Sequence, residues 1–96
     1  MRPSEALSQH RARIREIALS HHVSNVRVFG SVSRGEDGPD SDLDLLVEPT
    51  TQTTFMDIGA IRHELKNLLG MKVDVLTPNG LPPRYRDQVL REAVPV

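Results

Sequence analysis

The 96-residue chain predicts an α/β (α+β) fold: a small three-stranded sheet flanked by about four helices in one domain, 1–96. Three observations predict it. Apolar residues recur at helical spacing near the start and again over 55–69. Three short runs rich in Val and Leu are each cut off by Gly or Pro. The two kinds of segment alternate along the chain.

From Ser4, a candidate N-cap, the residues Leu7, Ile14, Ile17 and Ala18 return to one face, with Arg11, Arg13 and Arg15 mostly away from it. This predicts a helix over 4–20. Val26-Arg27-Val28-Phe29 is a strand halted by Gly30; a polar turn with a short helix follows. Leu43-Asp44-Leu45-Leu46-Val47 is a second strand, ending before Pro49. After a Thr-rich turn, Phe55, Ile58, Ile61, Leu65, Leu68 and Leu69 keep spacings of three and four up to Gly70, a natural helix terminator, and the whole stripe is assigned to the core. Lys72-Val73-Asp74-Val75-Leu76 is a third strand, closed by Thr77-Pro78-Asn79-Gly80. Pro82-Pro83 opens a last helix carrying Tyr85, Val89, Leu90 and Ala93. With so few strands the helices fall mainly on one face of the sheet, leaving the other for chemistry.

Composition removes several function classes. Twelve basic and thirteen acidic residues leave a net charge of -1, without the basic excess that nucleic-acid binding uses, and three aromatics make no base-stacking platform. The absence of Cys removes disulfides, thiolate zinc sites and cysteine nucleophiles. No leader-like h-region and no membrane-length apolar run occurs, so a soluble, cytoplasmic protein is expected.

The segment 26–47 carries the chemistry. Asp42 and Asp44 are two apart on a strand, so their carboxylates share a face while Leu43, Leu45 and Val47 take the other. Asp74 lies opposite Val73 and Val75 by the same parity; if the strands are neighbours, three carboxylates meet. Convergent carboxylates repel unless a cation lies between them, and hard oxygens suit Mg²⁺ or Mn²⁺, which in pairs clamp both oxygens of a phosphoryl or nucleotidyl transfer. Asp74 can complete the coordination and accept the proton of an attacking hydroxyl. Gly30 permits close backbone approach to a ligand, and Ser31 offers a hydroxyl and free N–H groups to phosphate. Arg34 suits a phosphate contact and a solvated surface charge equally. Glu36, Asp37 and Asp40 read as solvated loop acids. Singly, each of these residues has an ordinary explanation as a turn, a cap or a surface acid; their combination is what points to a site.

Competing motifs fail on inspection. Gly30 and Gly35 have the spacing of a phosphate-binding loop, but Glu36-Asp37 replace its Lys-Ser/Thr. Asp40, Asp42 and Asp44 begin like a calcium loop, yet Leu45 occupies its Gly position and Thr51 its closing Glu. His63-Glu64 starts like a zinc-protease helix, with Asn67 where the second His belongs.

The elements Phe29-Gly30-Ser31, Asp42-Leu43-Asp44 ten residues later, and Asp74 on a following strand resemble the minimal nucleotidyltransferases of the DNA polymerase β-like superfamily, close to the MNT antitoxin of HEPN/MNT toxin-antitoxin pairs. Gly30 to Glu36, Ser41, and the ending Arg91-Glu92-Ala93-Val94-Pro95-Val96 share the likeness, which covers nearly the whole chain. The resemblance implies a small mixed sheet with helices. It also implies Asp42 and Asp44 holding two Mg²⁺ ions with Asp74 beside them, and Gly30 and Ser31 holding ATP. AMP would then pass to a Tyr of a HEPN toxin partner, in a hetero-oligomer without direct contact to nucleic acid or membrane. Two alternatives accompany it: a binding module that silences the partner by occlusion, and a small-molecule, antibiotic-type nucleotidyltransferase subunit, against which the short chain speaks.

Overall fold

The computed structural model describes residues 1–96. Its elements are α1 (Pro3–Leu19), β1 (Val23–Phe29), β2 (Leu43–Pro49), α2 (Phe55–Leu69), β3 (Val73–Leu76), a 3-10 turn at Pro78–Gly80, α3 (Pro83–Glu92) and β4 (Val94–Pro95). The sheet order is β3-β2-β1-β4, with β2 and β3 parallel and the other pairs antiparallel.

The sheet therefore has a fourth strand beyond the three expected. Val94–Pro95 pairs with Arg27 and Val28 on β1. Pro95 has no N–H to continue a helix, and the chain leaves α3 in extended form at Ala93. The short helix expected after Gly30 is a single helical turn: Arg34 N–H donates to Gly30 O and Glu36 N–H to Ser31 O. The cap of α1 is likewise not Ser4. Arg2 takes that place, its N–H bound by Glu5, and the Ser4 N–H donates instead to Asp37 Oδ2 at 2.9 Å. Asp37 is thus tied to the start of α1 rather than freely solvated, and this bond holds its carboxyl below the ordinary range.

The core lies between one sheet face and the pair α1, α2. Val26, Val28, Leu43, Leu45, Val47, Val73 and Val75 meet Leu7, Ile14, Ile17, Ala18, Ile61 and Leu65 there. Ile58, Leu68 and Leu69 pack at its margin. Phe55, assigned to the same stripe, is 96% exposed, because it sits in the first turn of α2, before that helix reaches the sheet. The opposite face is partly covered: Phe29, Leu46 and Leu81 form a small cluster with Leu76, Val89 and Ala93. What remains open on that face is the end holding Asp42, Asp44 and Asp74.

Helix α2 is closed at both ends by local chemistry. Thr54 accepts from the Asp57 N–H while the Asp57 carboxylate accepts from the Thr54 N–H at 2.8 Å, and Gly70 ends the helix at φ 65°. Thr54→Ala lowers stability by about 1 kcal/mol, measured by urea denaturation, with no change in nucleotide binding.

Candidate active site

Strand parity and register assemble the site. Leu43, Leu45 and Val47 are fully buried, so Asp42 and Asp44 lie on the other side of β2. Val73 and Val75 fill the core from β3 and send Asp74 to that side as well. The parallel pairing sets Asp44 directly against Asp74. On the other flank the antiparallel pairing sets Phe29 against Asp44, so the chain turns at Gly30 beside that carboxylate.

Gly30 has φ 74°, and any Cβ there would run into Asp44 Oδ2. The residue is therefore constrained twice, by its backbone and by its neighbour. The Gly30 carbonyl receives the Ser33 hydroxyl at 2.9 Å, which fixes the turn. Ser31 is half-buried at the start of this turn.

Asp44 is the electrostatic centre. Its pKa is pushed up to about 6, first by burial and then by the negative charges of Asp74 and Asp42; Lys72 acts against them. Lys72, which the sequence reading passed over, places its ammonium 3.3 Å from Asp42 Oδ2. The signal for it was available: Lys72 shares the parity of Asp74 on β3 and so reaches the same face. Arg34 bridges Glu36 at 3.2 Å and Glu92 at 3.3 Å, fastening the Gly30 turn to the end of α3.

The structure thus brings Gly30, Asp42, Asp44 and Asp74 to one end of the sheet, with Arg34 in the adjoining turn paired to Glu36 and Glu92. The three acids do not close into a three-ligand cluster. Lys72 occupies one oxygen of Asp42, and Asp44 sits back between Gly30 and Asp74. The donor chemistry nonetheless fits a divalent cation: hard carboxylate oxygens, one carboxyl half-buried with its pKa pushed up by burial and by the neighbouring acids. A cation entering here relieves the repulsion that Lys72 balances only in part.

Comparison with known proteins identifies relatives over most of the chain. The nucleotidyltransferase domain family matches residues 7–96. MJ0435 of Methanocaldococcus jannaschii, a proposed protein adenylyltransferase, is 38% identical over 90 residues, covering 94% of this chain and 97% of its own. The protein adenylyltransferase MntA of Thermococcus cleftensis is 34% identical over 88 residues, 92% of this chain and 86% of its own. Among solved structures, a proposed minimal nucleotidyltransferase superposes with a TM-score of 0.78 at 49% identity, covering 94% of this chain and 95% of that one. A toxin-antitoxin structure with AMP-PNP superposes at 0.70 and 18% identity, over 83% of this chain and 66% of that one, a likeness of fold. With a family match over almost its whole length and the carboxylate-bearing sheet end in place, the chain belongs to the nucleotidyltransferase domain family, as a minimal member of the polymerase β-like superfamily.

Proposed function

We propose that this chain moves AMP from ATP onto a protein hydroxyl, a Tyr of a HEPN-type toxin partner, and acts as its antitoxin. The observation that carries the reading is the register of β2 on β3, which sets Asp44 against Asp74 with Asp42 on the same face. The likeness to MJ0435, a proposed protein adenylyltransferase, and to the protein adenylyltransferase MntA supports the acceptor class, and the toxin-antitoxin structure of like fold supports the partner.

The nucleotidyltransferase fold implies divalent-metal-dependent catalysis. Asp42, Asp44 and Asp74 are the residues to hold Mg²⁺, two ions in this reading with Mn²⁺ as substitute, and the metal supplies charge neutralisation at the α-phosphate. Gly30 and Ser31 bring backbone close to the triphosphate, and the missing side chain of Gly30 lets the Asp44 carboxylate lie against the turn. The acceptor oxygen forms a bond to the α-phosphorus as the bond to pyrophosphate breaks, and Asp74, on the open edge strand, takes the hydroxyl proton. Positioning and electrostatics do most of the catalysis. Arg34 serves by holding the Gly30 turn to α3.

The test uses the purified chain, Mg²⁺, the protein encoded beside it, and ATP labelled at the α or the γ phosphate. Protein-bound α label without γ label, absent in Asp42→Ala/Asp44→Ala, is the expected result. A tight complex with no label from any nucleoside triphosphate sinks this reading in favour of occlusion. Label on a small hydroxylated compound alone sinks it in favour of an antibiotic-type activity.

A further inference from the structure

Strand β3 is the edge of the sheet, with a neighbour on one side only. Leu43 N–H donates to Lys72 O at 3.1 Å, which fixes the sense of the parallel ladder. Residues 72, 74 and 76 turn their backbone groups toward β2, and Val73 and Val75 turn theirs outward. Outside the ladder, no backbone or side-chain hydrogen bond reaches Val73 or Val75.

A basic row runs beside this edge. Helix α2 packs on both α1 and β3. Its Asp57 and Glu64 pair with His22 and His21, just beyond α1, so the opposite flank, with Arg62 and Lys66, points past β3. Arg62, Lys66, Asn67, Gly70, Met71 and Lys72 line a groove of about 720 Å³. Neither Arg62 nor Lys66 has an acidic partner, although the chain carries more acids than bases. Lys72 lines this groove and also places its ammonium 3.3 Å from Asp42 Oδ2, so one side chain links the groove to the carboxylate site.

We infer that the β3 edge and the Arg62–Lys66 row form the acceptor dock, which takes an extended, acidic segment of the partner protein as an added strand. The inference rests on the protein-acceptor reading above and deepens it. An added strand pairs its backbone with the outward groups of Val73 and Val75. The residue it sets opposite Asp74 projects to the same face, about 5 Å away between Cβ atoms, which puts a hydroxyl side chain at the base that takes its proton. Acidic residues on the segment meet Arg62 and Lys66. A second copy of this chain is a poor occupant, because two β3 edges paired about a twofold axis set the two basic rows against each other. RNA satisfies the charge but leaves the outward N–H and C=O groups unmatched.

The probe is fluorescein-labelled poly(Glu,Tyr), an acidic polypeptide with acceptor hydroxyls, with poly(Lys,Tyr) and a single-stranded RNA of similar charge as controls. Arg62→Glu/Lys66→Glu weakens poly(Glu,Tyr) binding about tenfold or more by fluorescence anisotropy, with ATP binding unchanged. In the wild-type protein, poly(Glu,Tyr) slows hydrogen exchange of the Val73 and Val75 amides about tenfold or more, which attraction to the basic row alone does not do. Binding that survives the charge reversal, unprotected Val73 and Val75 amides, or tighter binding of the RNA at Arg62 and Lys66 each overturn the inference. The two readings also separate. Binding as expected with no nucleotide transferred to any protein removes the catalytic reading and leaves the dock. Transfer to a protein with binding insensitive to these residues does the reverse.

Discussion

Asp44→Asn is expected to abolish nucleotidyl transfer and, at the same time, to raise the melting temperature of the metal-free protein at pH 7.5. The two effects have one cause. Asp44 is half-buried against Asp74 and Asp42, and its carboxyl is pushed up to about 6 from an ordinary 3.8. Well below pH 3.8 both folded and unfolded chains hold the proton, and the residue costs nothing. As pH rises toward 6 the unfolded chain releases its proton while the folded chain keeps it, so stability declines through that window; above it the penalty is constant. Asparagine carries no charge to desolvate. With allowance for solvent screening at this partly exposed site, the expected gain at pH 7.5 in EDTA is about 1–2 kcal/mol, or roughly 5–10 °C in Tm. The difference between the two proteins shrinks as pH falls through 3.8 and vanishes well below it. In the proposed reaction, transfer falls by about 10²–10³-fold or more, because the site loses the charge assigned to the metal and the transition state. Mg²⁺ raises the Tm of the wild-type protein and leaves the variant unmoved. Equal melting of the two proteins in EDTA across pH 4–8 refutes the electrostatic account, and retained transfer refutes the placement of the metal.

That conflict explains why the site was legible in sequence. A fold tolerates a half-buried acid set against another only where function maintains it, and strand parity alone puts Asp42, Asp44 and Asp74 on the face opposite Leu43, Leu45, Val73 and Val75. The adjacency of β2 and β3 was conditional at that level, since periodicity does not state which strands pair; the register supplied it. The features that escaped are contacts between distant segments, which leave no periodic trace. Arg34 meets Glu92 across 58 positions, Asp37 meets the Ser4 N–H across 33, and Lys72 lies against Asp42 from the next strand. Phe55 escaped for another reason. It keeps the helical period but stands in the first turn of α2, where the period continues after the sheet beneath it has ended. The two residues of β4 are too few to carry an alternation, and a proline among them conceals a strand.

Gly30→Ala is expected to lower transfer by about 10²-fold and stability by about 1–3 kcal/mol, and Gly35→Ala shows which part of that loss belongs to the site. Both glycines lie in the same turn at nearly the same left-handed conformation, φ 74° and φ 71°. A methyl group at Gly35 meets nothing within 4 Å, whereas one at Gly30 meets the Asp44 carboxylate. Gly35→Ala therefore suffers backbone strain alone, about 1 kcal/mol by chemical denaturation, and keeps its transfer rate. Gly30→Ala suffers the same strain and must also move Asp44, either outward toward Lys72 and Asp42 or further against Asp74. Either movement takes the oxygen proposed to bind metal away from its position, where a displacement near 1 Å is worth about 10²-fold in rate. Equal activities in the two variants would mean that the closeness of Gly30 to Asp44 has no catalytic consequence and that the glycine is there for the turn. A loss confined to Gly30→Ala, with thermal stabilities of the two variants within a few degrees of each other, would assign the missing side chain to the reaction centre.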